Sequence, residues 1–412
     1  MTGMRVLLTT RGSAGHLLPL APVGHACLRA GHEVLVAAQR QHESNVARTG
    51  LPFAPVGDPP ADEWMGLMAT FAELSIDDSN AAMIAEFFAD IDVRAALPGL
   101  RAIVADFKPD VIVRESWEFT SPLVAELHGI PLVRVGLGLA AVEELSIRLA
   151  APAVERQRAA LGLPPDPAGE RLRDTPYLTM VPAPLDDPGA VLPELTHRFA
   201  PPPPAADEPP PLAAWWPGND DPLVLLSFGS VTAGEHLPYF PALYRAAIDA
   251  LAPVRARVLV TIGDARDPAE LGELPGSVHV ERWVAQDAVA PHLAAMICHG
   301  GYGSTLGALR HGVPLVVMPL FSIDQWVNAA AVARTGAGVA LDAERATRKV
   351  LALPDGATLA ALRPAVERVL GDRSHRREAQ RIAHAARALA PVDAAVDVVY
   401  ATYTGVPTGE RA

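Results

Sequence analysis

Lysine is almost missing from this chain of 412 residues: only Lys108 and Lys349 carry an ammonium group. No lysine follows any of the glycine-rich turns, so a Walker-type phosphate loop is excluded, and the scarcity argues equally against a pyridoxal-lysine enzyme. Cysteine is as scarce. Cys27 falls inside an expected helix and Cys298 closes an expected strand, a placement that fits reduced thiols and not a disulfide framework. No Cys/His cluster has the spacing of a metal centre. Basic charge is in deficit, 34 Lys and Arg against 47 Asp and Glu, and the net charge of −13 gives no long-range attraction for nucleic acid or an anionic membrane. Long apolar runs are missing too. The opening run RVLLTT meets Arg11 and Gly12 too soon for a signal sequence, and no later run reaches membrane-spanning length, so the expectation is a soluble, cytoplasmic protein.

What is present is a globular composition, half hydrophobic and one fifth charged, at a length that calls for about two domains. The stretch FAPPPPAADEPPPLAAWWPGNDDP, residues 199–222, cannot sustain a strand ladder and favours extended conformations, so it reads as a semi-rigid connector. On either side, short apolar runs (RVLLTT, HEVLVAA, DVIVRE and PLVRVG before; PLVLLSFGS, ARVLVTIG, SVHVERW, AAMICHGG and VPLVVMP after) alternate with helical patterns near 17–30, 79–106, 119–128, 237–251, 303–311 and 324–334. Continuous apolar strands separated by helices imply parallel sheets covered on both faces. The expected fold class is therefore α/β, with two doubly wound, Rossmann-like domains facing each other across a cleft and ligands at the carboxyl ends of the strands. The expected boundaries are a first domain at 1–200, a linker at 201–221, a second domain at 222–385 and a helical tail at 386–412 packing back on the first domain.

The most informative run is MICHGGYGSTLGALRHGVPLVVMPLFSIDQWVNAA, residues 296–330. A strand ends at Cys298, His299 follows, and Gly300, Gly301 and Gly303 let the chain turn into a helix that Ser304 or Thr305 would cap. Such a bend brings free amides and a helix dipole close to a bulky anion, as a diphosphate cradle would. With no lysine present, the dipole, the hydroxyls and His299 are left to neutralise it; alternatively the bend is a plain strand-to-helix turn. Asp324 and Gln325 follow a buried strand and could hydrogen-bond neighbouring sugar hydroxyls, or Asp324 could simply cap the next helix. Trp283 could stack on a nucleobase or fill core, and Ser230, in a second glycine turn, could touch phosphate.

Together the RWVAQ segment and the CHGGYGSTLGALRHGVPLVVMPLFSIDQWVN run resemble the donor-binding signature of inverting family 1 glycosyltransferases of GT-B fold. The match is nearest the actinobacterial branch that glycosylates antibiotics and other natural products, and it extends over nearly the whole chain. The resemblance implies that Trp283 stacks on the base while main chain near Val284 reads its edge. It further implies that His299, Gly301, Gly303, Ser304 and Thr305 hold the diphosphate with help from Ser230, and that Asp324 and Gln325 grip the sugar. Ala285 stands where the family usually has proline, and Gly303 and Gly307 replace an asparagine and a ribose-binding glutamate of the plant signature. His16, in the loop after the first strand, matches the family's catalytic base. A neutral imidazole suits removal of a proton from an attacking hydroxyl, and the resemblance implies that an acid at the end of a later strand of the first domain orients it, which in DVIVRESWEF is Glu115, with Glu118 as the alternative.

Asp90 and Asp92 have the spacing of a metal-binding pair, but two residues apart on a helix they diverge, so they read as a solvated helix face and the expected chemistry needs no metal or other cofactor. Trp64, Met65, Met68, Phe71, Met83, Phe87 and Phe88 are either core or the wall of an acceptor pocket, with Trp64, Met68, Phe71 and Phe87 the acceptor-lining candidates. The expected function is transfer of a sugar, a deoxysugar by family branch, from a TDP or UDP donor to a hydroxyl of a hydrophobic aglycone with inversion. A catalytically inactive nucleotide-sugar-binding accessory protein and a sugar-nucleotide epimerase are the alternatives. The expected partners are these small molecules, without nucleic acid or membrane, and a second copy in a homodimer.

Overall fold

The computed structural model describes residues 3–203, 211–234, 237–341 and 348–405, the side chain of Ser230 excepted. Each half of the chain forms one parallel sheet. The first contains β1 (Arg5–Thr9), β2 (Glu33–Gln39), β3 (Phe53–Val56), β4 (Val111–Glu115), β5 (Leu132–Val135), β6 (Tyr177–Thr179) and β7 (Thr196–Ala200). The second contains β8 (Leu223–Ser227), β9 (Arg257–Thr261), β10 (Val278–Glu281), β11 (Leu293–Cys298), β12 (Leu315–Val317) and β13 (Gly338–Ala340). A two-residue strand from the far end of the chain, β14 (Ala390–Pro391), joins the first sheet beside β7.

Alternation along the strands explains why both faces are covered. In β8, Val224 and Leu226 enter one apolar cluster while Leu223 and Leu225 enter the cluster on the opposite face. Val111 and Val113 of β4 likewise face away from Ile112. With side chains repeating every two residues, a strand buried on both sides favours apolar residues; the charged exceptions, Arg114 and Glu115 of β4 and Arg134 of β5, lie toward the carboxyl ends.

The strand orders fix where ligands can enter. The first sheet runs β14-β7-β6-β5-β4-β1-β2-β3 and the second β10-β9-β8-β11-β12-β13. In each, the connections leave a central pair of strands in opposite directions, β1 and β4 in one and β8 and β11 in the other. The carboxyl ends of such pairs open into a crevice.

Several local expectations are corrected. The helix expected near 17–30 is broken into a single turn, Ala14–Leu17, and a helix at Ala21–Arg29 with proline in its first turn, so His16 sits in the short turn and not in an open loop. The last stretch of the chain is not one continuous helix: Arg373–Arg387 packs on the second domain, the chain then passes through β14, and Ala395–Thr404 packs on the first. Val392, Val396, Val398 and Val399 lie in the same cluster as Val6, Leu8 and Val113. Residues 204–210 of the connector and 406–412 of the tail lie outside the described residues. The connector's far end is anchored and not a free spacer: Trp216 is buried against the second sheet and Trp215 stacks on His279 at 4.1 Å.

Candidate active site

At the first crevice, β1 delivers the turn that carries His16 and β4 ends on Glu115. His16 Nδ1 lies 2.9 Å from Glu115 Oε1, and the carboxylate is fully buried while the imidazole keeps 16% of its side-chain surface exposed. The second carboxylate oxygen accepts the Trp117 amide at 2.6 Å, and the Arg11 amide approaches Oε1 at 3.4 Å. Burial alone would push this carboxyl upward. The His16 charge and hydrogen bond, the Trp117 amide and the Arg11 charge outweigh burial and hold it below the usual carboxylate range. An ionised Glu115 keeps a proton on Nδ1 and leaves Nε2 as the ring's free base.

Glu118 is not available for that part. Its carboxylate accepts the Thr120 amide at 2.7 Å and the Ser121 amide at 3.1 Å, as well as the Ser121 hydroxyl, so it closes the start of the Thr120–His128 helix.

The imidazole is held edge-on between Phe88 and Trp117, with ring centroids 6.0 and 5.9 Å away. Arg11, which the sequence reading passed over, stacks its guanidinium 3.7 Å over Phe88 and pairs with Asp92. Desolvation lowers this guanidinium to about 9 against the pull of Glu115 and Glu118. Asp92 is therefore not on a solvated face. It is buried and also accepts from Gln39, whereas Asp90 turns to Arg94 and to Gln157. The two carboxylates do diverge, as expected of residues two apart on a helical turn.

The acceptor candidates divide. Phe71 and Phe87 are buried in one cluster with Phe88, Trp64 and Met68 pack at its edge, Trp64 lying 4.5 Å from Phe87, and Met83 sits beside them. Met65 is 69% exposed and outside the cluster. Most of these side chains are core, and Phe88 is the one whose ring reaches His16.

At the second crevice, the helix Tyr302–Arg310 begins directly after β11. Its cap is Gly301, one turn earlier than Ser304 or Thr305, which lie inside the helix; the Thr305 side chain is buried. His299 lies between two glycines. A Cβ on Gly229 would come 2.6 Å from its ring and one on Gly301 2.5 Å, so only glycine leaves room for the imidazole at both positions. Gly300, at φ +89°, needs glycine for its backbone. Desolvation depresses His299 to about 4, so in the free protein the ring is neutral at pH 7: it can donate or accept a hydrogen bond but does not supply the positive charge expected of it. The remaining source of positive potential at this crevice is the start of the Tyr302–Arg310 helix, with its dipole and the amides around Gly301 and Gly303.

Trp283 is 67% exposed, which removes the reading as core filler and leaves a flat apolar face open to a base, with Val284 beside it at the margin of the second core. The backbone of Ser230 enters the short helix Gly229–Thr232, while its side chain lies outside the described residues.

Asp324 and Gln325 occupy the first turn of the helix Ile323–Thr335, whose cap position is Ser322. Ser322 donates its hydroxyl to Asp324. Burial raises the Asp324 carboxyl, against that hydrogen bond, two backbone amides and the charge of His16 in the other domain. Gln325 is buried, and its side-chain oxygen accepts the Leu320 and Phe321 amides at 2.7 and 3.1 Å, so its oxygen braces the turn and only its NH2 group can serve a ligand.

Three comparisons bear on this geometry. Residues 25–186 and 245–399 match the N-terminal and C-terminal domains of the family described as erythromycin biosynthesis protein CIII-like. An L-demethylnoviosyl transferase of Streptomyces niveus is 32% identical over 381 residues, covering 92% of this chain and 93% of that protein. Among solved structures, the calicheamicin glycosyltransferase CalG4 superposes with a TM-score of 0.77 at 23% identity, over 98% of this chain and 99% of that one. The Streptomyces sp. SF2575 glycosyltransferase SsfS6, solved with thymidine diphosphate, gives a TM-score of 0.70 at 23% identity, over 96% and 99%. The two facing parallel-sheet domains are the GT-B fold that the sequence resemblance implied.

Proposed function

The chain belongs to the erythromycin biosynthesis protein CIII-like family of actinobacterial natural-product glycosyltransferases, and from that premise we propose that it transfers a deoxysugar from a thymidine diphosphate donor to a hydroxyl of an apolar aglycone, with inversion. The observation that carries this reading is the 2.9 Å contact of His16 with buried Glu115 at the crevice of the first sheet.

The acceptor oxygen attacks the anomeric carbon as the bond from that carbon to the diphosphate oxygen breaks. Its proton passes to Nε2 of His16, and the imidazolium that forms is stabilised by Glu115 at Nδ1. The departing diphosphate is received at the start of the Tyr302–Arg310 helix, where unpaired amides and the dipole are already aimed, so no metal ion is required. Asp324 and the NH2 group of Gln325 hold sugar hydroxyls, and Trp283 stacks on the base. Attack from the face opposite the leaving group reverses the anomeric configuration. SsfS6 was solved with thymidine diphosphate, which supports the thymidine choice here.

The test incubates the protein, with and without EDTA, with thymidine and uridine diphosphate sugars and a panel of apolar aglycones, reading glycosides by mass spectrometry and the anomeric configuration by NMR. Inverted glycoside from the thymidine donor, undiminished by EDTA, is the expected product. A retained anomer, or tight nucleotide binding with no glycoside from any pair, would overturn the reading, the latter in favour of an accessory role.

A further inference from the structure

The helix that presents Asp324 begins in the second domain, but its first amide is served by the first. Ser322 occupies the cap position, but its hydroxyl donates to the Asp324 carboxylate and accepts no helix amide. The Ile323 amide instead donates to Oδ1 of Asn80 at 3.0 Å. Nδ2 of Asn80 donates to the Phe321 carbonyl at 2.9 Å, and is steadied by the Ile76 carbonyl of its own helix, Ile76–Ala82, at 2.7 Å. One carboxamide thus grips both peptide groups flanking Ser322. Around it the two domains exchange backbone hydrogen bonds, from Ile76 to Arg348 at 3.1 Å and from Val350 to Leu74 at 3.2 Å. Glu73 pairs with Lys349 at the exposed edge of the same seam.

We propose that Asn80 is a positioning residue that caps the Asp324 helix across the domain boundary, so that the sugar-holding carboxylate is set in place only while the domains are together. First-turn amides of a helix have no partner within it, and a side-chain oxygen supplied there stabilises the turn. The order of contacts is Asn80 to the Phe321–Ile323 turn, Ser322 to Asp324, and Asp324 to the sugar. The last contact rests on the function proposed above; the others are independent of it.

Hydrogen–deuterium exchange on the full chain tests the cap without substrate. Asn80→Ala should speed exchange of the peptide spanning Ile323 by about fivefold to thirtyfold, the scale of one capping bond. Asn80→Asp keeps the receiving oxygen but turns a carboxylate oxygen toward the Phe321 and Ile76 carbonyls, so it should lose part of the protection as well. Lys349→Ala, which removes a neighbouring interdomain pair, should change nothing there. Unchanged exchange in Asn80→Ala, or an equal rise in Lys349→Ala, would overturn the cap. In steady-state assays, Asn80→Ala should lower kcat/KM for the nucleotide sugar by a similar factor while the Kd for the bare nucleoside diphosphate moves less than about twofold. Faster exchange with unaltered sugar kinetics would overturn the link to Asp324. Absence of turnover with every donor would instead refute the proposed function, and the exchange result would still decide the cap.

Discussion

His16 and Glu115 are 99 residues apart in sequence and 2.9 Å apart in space, and the contact exists because β1 and β4 are neighbours in the sheet. Glu115→Gln keeps the size of the side chain but allows an NH2 group to face Nδ1, which would move the ring proton to Nε2 and remove the base. Single-turnover rates should fall by about 10²–10⁴-fold with nucleotide affinity nearly unchanged.

Trp283 offers its face to solvent, so its removal should leave folding almost untouched. Trp283→Ala is expected to weaken thymidine diphosphate binding by about 1–3 kcal/mol, as loss of one base stack does, with a melting temperature close to that of the parent. Calorimetric titration and thermal melts separate the two effects.

His299 provides the pH dependence. With the folded value near 4, below the unfolded value of about 6.5, the unfolded chain takes up a proton that the native site refuses. This ring's unfavourable contribution is absent above the unfolded value and grows as pH falls toward 4. A seated diphosphate reverses the preference by favouring imidazolium. Binding at pH 5 should therefore take up protons through this ring, and binding at pH 8 should not. Calorimetry in buffers of different ionisation enthalpy reads the uptake, and comparison with His299→Asn separates it from protons exchanged by the ligand.

Arg11 is the counter-charge of a buried acid. Arg11→Ala would leave Asp92 with Gln39 alone, a loss of about 3–5 kcal/mol in the stability of the first domain. Arg11→Ala combined with Asp92→Asn should recover part of it in urea unfolding.

Ala285 has φ −64°, and among the described residues its amide makes no recorded hydrogen bond. Ala285→Pro restores the residue usual in the family at a backbone already suited to it. It should raise stability by about 0.4–1 kcal/mol, measured by thermal melting.

What could be read from the chain alone was whatever is local. The strands β1, β4, β8 and β11 are continuous apolar runs ending at small or polar residues, and burial on both faces leaves that mark directly. Glu115 is legible only through the family resemblance, which implies an acid at the end of such a run. β3 carries a proline and β6 and β13 are three residues long, too little pattern to separate from loop; β14 is set by its neighbour and not by its own two residues. Asp92 looked solvated because acids on helices usually are, and nothing near it in sequence announces Arg11. Asn80 and Ile323 are separated by 243 residues. Such contacts are properties of the packed domains, and no window along the sequence contains them.

The route of the chain's last stretch bears on how the protein is made. Val392, Val396 and Val399 complete an apolar layer begun by Val6 and Leu8, so the half synthesised first is finished by the part that leaves the ribosome late. Until then the earlier half carries an uncovered greasy face while the later half emerges behind it, a period of exposure to aggregation or chaperone binding. A gene truncated at the proline-rich segment would make that exposure permanent.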